Sequence, residues 1–264
     1  MYIFVPLNRS MMKRITDFKL VEKEDFGNAV FLRLRSPEPL PDIEPGQFAQ
    51  VQVKDSPATY LRRPISIHDV DRDHNEISLL IQKVGEGTRH LAALECGETV
   101  NMVYPLGHGY TMPEANERVL LVGGGVGIAP LFYLAKRMSA QGMKPALLLC
   151  GKTKSDLPRL EEYRKVGDVY VTTEDGSCGE KGITTVHSLW KEMQFDRFCV
   201  CGPKRMMHAV ADIAKERGIE CEVSLENLMA CGLGACLCCV EDTVDGHVCV
   251  CKEGPVFNIR RLKW

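Results

Sequence analysis

The sequence has no uncharged run long enough to cross a membrane. Its longest such run, 119–135 (VLLVGGGVGIAPLFYLA), falls short of the roughly 20 apolar residues that a spanning helix needs, and it contains four glycines and a proline. The opening MYIFVPLNRSMMKR is too short for a secretory signal and has no small-residue cleavage site after it. We therefore expect no membrane association and a cytoplasmic location, with Met1, Met11 or Met12 as the natural start.

An excess of charge of either sign is also missing. The 33 lysines and arginines nearly balance 35 aspartates and glutamates, which leaves a formal net charge of −2. Without a basic surface field, we expect no nucleic-acid partner. Internal repeats and low-complexity linkers are absent as well. The 264 residues, 45% hydrophobic and 26% charged, are typical of a globular protein with two domains or one large domain.

The patterns that are present divide the chain into three regions. From about residue 15 to 110, short β-rich runs such as NAVFLRLRS and GQFAQVQVK alternate with Gly and Pro, which predicts a small antiparallel barrel. From about 113 to 218, buried strands alternate with helices, which predicts a parallel, doubly wound sheet. A cysteine-rich tail follows. The expected fold class is multidomain β plus α/β, with domains at 12–111, 112–218 and 219–264.

A glycine-rich turn, GGGVGIAP, lies between a predicted strand and a predicted helix. Glycines let a diphosphate approach the backbone closely, and the N-terminus of the next helix attracts negative charge. The loops CGP (201–203) and TTEDGSCGEKG (172–182) end two further strands, so the three loops would line one crevice. The spacing only approximates the usual nucleotide fingerprint, and a tight turn without any ligand is the alternative.

An arginine and a serine occur together in LRRPISI (61–67). The fork of a guanidinium group can bind two oxygens of a phosphate. The segment GEGT (85–88) opens a predicted helix and suits a second phosphate contact. The alternative is a solvated arginine and an ordinary N-cap threonine.

The cysteines crowd into CGLGACLCC (231–239), and two more follow at Cys249 and Cys251. Because a reducing compartment disfavours structural disulfides, a metal centre is the better explanation. The spacing C-x4-C-x2-C is that of plant-type [2Fe–2S] clusters. A zinc site usually has two C-x2-C pairs about 15–20 residues apart, and the second pair here is too tight. The other six cysteines are expected to be mostly small core residues; they are Cys96, Cys150, Cys178, Cys199, Cys201 and Cys221.

Together, the RPIS barrel, the GGGVGIAP and CGP sheet, and the cysteine tail resemble the ferredoxin reductase superfamily. More narrowly, SLENLMACGLGACLCCVE followed by CVCKEGPVF is similar to the electron-transfer subunits of class 1B dihydroorotate dehydrogenases. The resemblance covers nearly the whole chain after Met12. The tail is its specific part, since many flavin reductases share the first two regions.

The resemblance implies ligands for each matched residue. Arg63 of the R-x-x-S motif would hold the FAD diphosphate, Ser66 would lie by the flavin ring and Cys201 near the nicotinamide, and no catalytic acid or base is assigned. FAD is expected on Arg63, Pro64, Ile65, Ser66, Leu80, Ile81, Gln82, Gly87 and Thr88. NAD is expected on Gly123, Gly124, Gly125, Val126, Gly127, Ile128, Ala129, Pro130, Cys201, Gly202 and Pro203. The [2Fe–2S] ligands are expected to be Cys231, Cys236, Cys239 and Cys251.

Two features depart from the family pattern. Cys238 and Cys249 are additional to the implied ligand set. Lys152 and Lys154 could accommodate the 2′-phosphate of NADP, although NAD is the favoured co-substrate.

The function implied is an electron relay. Electrons would pass from the FMN of a dihydroorotate dehydrogenase catalytic subunit through [2Fe–2S] and FAD to NAD+, in pyrimidine (UMP) biosynthesis, within a heterotetramer of two chains of each kind. An alternative is the same machinery serving an NADH-dependent ferredoxin:NADP reductase, a sulfide dehydrogenase or a hydrogenase. A zinc-containing nucleotide-sensing module is the alternative from a different class.

Overall fold

The structure, a computed structural model, describes residues 13–264. The candidate start positions Met1, Met11 and Met12 lie outside the described residues, as does the first residue of the predicted 12–111 domain. Among the described residues, no helix is both long and apolar enough to cross a membrane.

Six antiparallel strands form the N-terminal region. They are β1 (Arg14–Asp25), β2 (Ala29–Arg35), β3 (Phe48–Val51), β4 (Arg63–Asp71), β5 (Glu76–Gln82) and β6 (Thr99–Leu106), with helix α1 (Glu86–Ala93) before β6. They close into a barrel in the order β1-β2-β5-β4-β3-β6. Alternation directs every second side chain inwards. In β1, Phe18 and Leu20 are buried, whereas Asp17 and Lys19 are exposed.

The middle of the chain alternates strands and helices, as its sequence pattern predicts. The elements are β7 (Val119–Gly124), α2 (Ala129–Ala140), β8 (Ala146–Gly151), α3 (Leu160–Arg164), β9 (Asp168–Thr173), β10 (Glu180–Lys181), α4 (Leu189–Glu192), β11 (Arg197–Cys201), α5 (Lys204–Arg217) and β12 (Glu220–Ser224). All these strands are parallel. Helix α2 packs on the sheet face with Leu121 and Leu149, and α5 packs on the opposite face with Leu120 and Leu148.

The cysteine-rich tail contributes β13 (Val240–Thr243), β14 (Gly246–Cys249), α6 (Val250–Glu253) and β15 (Val256–Asn258). Strand β15 pairs antiparallel with β12 and becomes the edge of a seven-stranded sheet, in the order β10-β9-β8-β7-β11-β12-β15. The barrel, the parallel sheet with helices and the C-terminal region confirm the expected fold class. The bounds 12–111, 112–218 and 219–264 remain our proposal for the domains.

Barrel and sheet meet where β4 packs on α2. The buried ring of His68 stacks on Phe132, and its Nδ1 lies 3.0 Å from the carbonyl oxygen of Ala129. Desolvation lowers the pKa of His68 to about 3, so the ring is neutral near pH 7 and Nδ1 carries the proton that it donates. Lys136 also binds Asp69 at 2.8 Å. These contacts fix the start of α2 against the strand that carries the R-x-x-S motif.

Candidate functional site

A nucleotide cleft of about 820 Å³ opens at the carboxyl ends of the parallel strands. Gly123 and Gly124 of the glycine turn end β7, Gly125 follows directly, and α2 begins at Ala129. A Cβ on Gly127 would come within 2.5 Å of the carbonyl oxygen of Cys201. Only glycine therefore lets the turn approach the CGP loop, and the two motifs that are separate in sequence form one wall.

Six of the residues predicted to bind NAD line this cleft: Gly124, Gly125, Val126, Gly127, Gly202 and Pro203. The other five, Gly123, Ile128, Ala129, Pro130 and Cys201, are buried and do not line it. Burial raises the pKa of the Cys201 thiol well above its ordinary value, so it is a neutral thiol. Glu174 and Gly182 from the 172–182 loop also line the cleft, as the strand order predicts.

Several residues of the cleft were missed by sequence reasoning. They are Cys150, Gly151, Asp156, Ile183, Thr184, Thr185, Arg205, Met206, Ala209 and Glu226, together with Gln82, which was assigned to FAD. Lys152, which the sequence marked as a possible contact of the 2′-phosphate of NADP, also lines the cleft. Most follow a strand of the sheet, which is the signal that could have found them. Glu226 comes from the tail. Desolvation within the cleft raises the pKa of its carboxyl group, although the residue keeps access to solvent.

The R-x-x-S motif begins β4, next to the start of α1. The Arg63 Nε atom lies 2.8 Å from the position that a Cβ on Gly87 would take. In the part of the chain that the structure describes, the Arg63 guanidinium has no hydrogen bond or salt bridge and is half-buried. An available guanidinium beside a helix N-terminus fits a diphosphate, so this corner suits the phosphates of FAD.

The other residues expected to bind FAD have different surroundings. The hydroxyl of Thr88 accepts hydrogen bonds from the amides of Val84 and Gly85 and donates to the carbonyl oxygen of Gly85, so it caps its own helix. The side chains of Leu80 and Ile81 are buried in the core. Pro64, Ile65 and Ser66 continue β4, half-buried, and Gln82 reaches the nucleotide cleft.

The cysteine loop, residues 231–239, folds so that backbone amides point at sulfur. The amide of Leu233 donates to Cys231 Sγ at 3.3 Å, and the amide of Gly234 donates to Cys251 Sγ at 3.1 Å. Hydrogen bonds from the backbone, that of Leu233 first, lower the pKa of Cys231 to about 6. Burial raises the pKa of Cys251 to about 12. The loop therefore stabilises the thiolate of Cys231, whereas the thiol of Cys251, in α6, is shielded from solvent.

The four predicted ligands form two pairs. After the Leu233 amide, the backbone and side chain of Cys236 are among the neighbours that lower the pKa of the Cys231 thiol. The amide of Cys251 donates to Cys239 Sγ at 3.3 Å. Across residues 13–264, no three His, Cys, Asp or Glu side chains converge as they would around one metal ion. A [2Fe–2S] cluster takes two cysteine ligands at each iron, so two pairs of cysteines suit it. The donor set fits the cluster.

The two additional cysteines differ in their surroundings. Cys238 is exposed. The Sγ atom of Cys249 lies 3.9 Å from the carbonyl oxygen of Gly234 in the cysteine loop, and desolvation and then Cys239 raise the pKa of its thiol. Cys249 is therefore the nearer rival to the predicted ligand Cys251.

This combination of barrel, nucleotide cleft and cysteine loop defines the ferredoxin reductase-like class. The chain is similar to a structure described as an NADH-dependent reduced ferredoxin-NADP oxidoreductase studied for flavin-based electron bifurcation. The two chains are 29% identical with a TM-score of 0.84, covering 94% of this chain and 90% of the other. The cytochrome b5 reductase domain of Ulva prolifera nitrate reductase shares the fold, with a TM-score of 0.64 at 19% identity, covering 78% and 94%.

Family models narrow the class. Residues 226–263 match the iron–sulfur cluster binding domain of dihydroorotate dehydrogenase B, and residues 121–212 match the oxidoreductase NAD-binding domain. Relatives called dihydroorotate dehydrogenase B (NAD(+)), electron transfer subunit, occur in Bacillus cereus and Fusobacterium nucleatum. They are 41% and 39% identical to this chain, over 82% and 81% of it and 85% and 84% of the relatives. The chain belongs to the family of dihydroorotate dehydrogenase B electron transfer subunits, which confirms the resemblance stated from its motifs.

Proposed function

We propose that this chain passes electrons from the FMN of a dihydroorotate dehydrogenase catalytic subunit, through a [2Fe–2S] cluster and FAD, to NAD+ in pyrimidine biosynthesis. One observation carries the proposal. Strand β4, with the R-x-x-S motif, pairs with β3, and Gln50 of β3 packs against Gly232 of the cysteine loop. A single strand therefore separates the expected flavin strand from the expected cluster, which is the short separation that an electron relay needs.

The residues of the chain would hold and orient the groups. Arg63 would hold the FAD diphosphate, with the N-terminus of α1 beside it. The glycine turn and the start of α2 would hold the diphosphate of NAD, and the two cysteine pairs would hold the cluster. When bound, FAD exchanges a hydride with nicotinamide and single electrons with an iron–sulfur centre. The carboxylates of Glu174 and Asp156 line the cleft together with Lys152. Because their negative charge would repel the 2′-phosphate of NADP, we expect NAD to be preferred.

The catalytic partner would dock beside the cysteine loop. Four large apolar side chains are exposed there: Leu228 (86%), Leu233 (47%), Leu237 (64%) and Val240 (37%). Such a group of exposed apolar residues is typical of an interaction surface. We propose that these residues, called the apolar rim, meet the FMN subunit in a heterotetramer of two chains of each kind. In the part of the chain that the structure describes, all 12 cysteines are free thiols. We propose a cytoplasmic location, where such thiols stay reduced.

The decisive experiment is purification of the tagged chain from its native host. We expect a brown-yellow protein that reduces an artificial acceptor with NADH and carries with it a catalytic chain that oxidises dihydroorotate with NAD+. A chain that carries no flavin and only zinc would contradict the relay. A flavin and iron–sulfur protein that is inactive with NADH would contradict the NAD assignment.

A second candidate keeps the relay and changes the partner. The 29% identity and TM-score of 0.84 with the NADH-dependent reduced ferredoxin-NADP oxidoreductase favour this alternative. The same purification separates the two. Recovery of a glutamate-synthase-like chain, with no dihydroorotate oxidation, would support the second candidate and contradict the first.

A further inference from the structure

Gln50 lies between the expected flavin strand and the cysteine loop. In β3 it is opposite Pro64 of the R-x-x-S motif on one side and Val103 of β6 on the other. Side chains alternate along a strand, so Gln50 shares a face with Phe48. Phe48 belongs to the core cluster that also contains Cys239 and Cys251. The carboxamide of Gln50 therefore points out of the barrel and towards the tail.

The Gln50 carboxamide has no hydrogen-bond partner among residues 13–264. The residue is 0% exposed, and neither Nε2 nor Oε1 is paired, whereas its main-chain carbonyl oxygen accepts from Arg62 Nη1 at 3.2 Å. Buried amides in proteins are nearly always hydrogen-bonded, because an unpaired one loses its water without compensation. An unpaired and fully buried amide at this position indicates a partner that the polypeptide itself does not supply.

The contact between Gln50 and the loop shows where that partner lies. A Cβ on Gly232 would be 2.6 Å from Gln50 Cγ and 2.9 Å from Nε2. Gly232 directly follows Cys231 and has a φ of +69°. The amide of Leu233 already points at Cys231 Sγ. Nε2 therefore lies against the part of the loop where N–H donors gather around sulfur.

We propose that Gln50 donates an Nε2–H hydrogen bond to a sulfur of the cluster, on the side held by Cys231 and Cys236. The inference rests on the iron–sulfur centre of the proposed function. Hydrogen bonds to sulfur are one of the factors that set the reduction potential of such clusters. A hydrogen-bond donor stabilises the more negative, reduced state of the cluster, so Gln50 raises its reduction potential. Gln50 lies on β3, the strand that pairs with the R-x-x-S motif.

The test uses the complete holoprotein and the variant Gln50→Leu, which keeps the bulk of the side chain and removes the amide. Gln52→Leu is the matched control, because Gln52 is exposed two residues further along the chain. Redox titration followed by electron paramagnetic resonance should give a lower cluster potential in Gln50→Leu. We expect about a tenfold change in the one-electron equilibrium constant, which is about 59 mV. The control and wild-type protein should agree.

A second readout detects the contact itself. Protein labelled with ¹⁵N in glutamine side chains should show a nitrogen coupling to the reduced cluster, which Gln50→Leu abolishes and Gln52→Leu keeps. If Gln50→Leu loads too little cluster, the unbranched Gln50→Met replaces it in both measurements.

An unchanged potential, or a coupling that persists in the loaded variant, would overturn the role of Gln50. Both outcomes leave the relay intact. Absence of an iron–sulfur signal in the wild-type protein would instead overturn the proposed function, so the two failures are distinguishable.

Discussion

At the scale of single residues, the Arg63 guanidinium is the clearest candidate for a cofactor contact, because it is half-buried beside Gly87. Arg63→Lys keeps the charge and removes the planar fork. Charge-assisted hydrogen bonds contribute about 1.5–3 kcal/mol each, so we expect FAD to bind roughly tenfold or more weakly. Fluorescence of released flavin during dialysis measures this. Arg89→Lys, at an exposed position on α1, is the control. Equal retention of FAD in both variants would show that Arg63 does not hold the diphosphate.

The cysteine loop gives a second residue-scale prediction. Cys236→Ser should destroy or strongly alter the visible absorption of the cluster, because it breaks the Cys231–Cys236 pair. Cys238→Ser should leave the absorption intact, since that exposed thiol belongs to neither pair. Iron and sulfide analysis of the two variants provides the measurement. Loss of the cluster in Cys238→Ser would mean that the ligand set is assigned wrongly.

Many residues of the candidate site could be predicted from residue types and spacing. The others join the site only because tertiary packing brings them there. The C-x4-C-x2-C spacing predicts three cluster ligands, and the family resemblance adds Cys251 as the fourth. Glu226 and Gln50 could not be predicted. Each side chain lies against a region of the fold other than its own. Glu226, from the tail, lines the cleft of the sheet, and Gln50, from the barrel, packs against the cysteine loop. Such contacts depend on tertiary packing, which no local pattern records.

At the scale of elements, the turn between β7 and α2 depends on its closeness to the CGP loop. Gly127→Ala would place a methyl group 2.5 Å from the Cys201 carbonyl oxygen and 2.6 Å from Gly202 Cα. Overpacking of this kind costs about 1–3 kcal/mol and would move the turn. We expect NADH binding to weaken about tenfold while FAD and the cluster are retained. Calorimetric titration with NADH measures the change. Ser139→Ala, exposed on α2, should bind normally. Unchanged affinity in Gly127→Ala would remove the glycine turn from the site.

Single strands and helices were easier to predict than the pairing between strands. The continuous apolar run VLLV before the glycines predicts a buried strand, and the helical periodicity of KRMMHAVADIAKERG predicts a helix; they form β7 and α5. The tail has little periodicity. The sequence VFN of β15 does not predict that this strand pairs with β12, about 30 residues earlier in the chain. Strand pairing at this separation is decided by burial of the shared core rather than by local preference.

At the scale of the whole molecule, one core joins all three regions. Phe48 and Leu106 of the barrel, Val200 of the sheet, and Cys239 and Phe257 of the tail belong to the same buried cluster. The expected flavin strand and cysteine loop are therefore held at a fixed separation. The apolar rim lies on the solvent-exposed part of the loop, and we propose that a partner approaches the cluster from there.

The last prediction tests this approach. Leu228→Asp and Leu237→Asp place a charge on the apolar rim, at side chains that are 86% and 64% exposed. Because neither side chain is part of the core, folding, FAD, the cluster and NADH-dependent reduction of an artificial acceptor should be unaffected. Burying an unpaired carboxylate in the interface should cost at least about 2 kcal/mol, which is roughly a thirtyfold weaker Kd. Co-purification with the catalytic subunit and dihydroorotate-dependent reduction of NAD+ should both fall.

Val186→Asp, 60% exposed on the NAD-binding sheet domain, should leave both unchanged. Equal recovery of the partner by all three variants would place the interface elsewhere on the molecule.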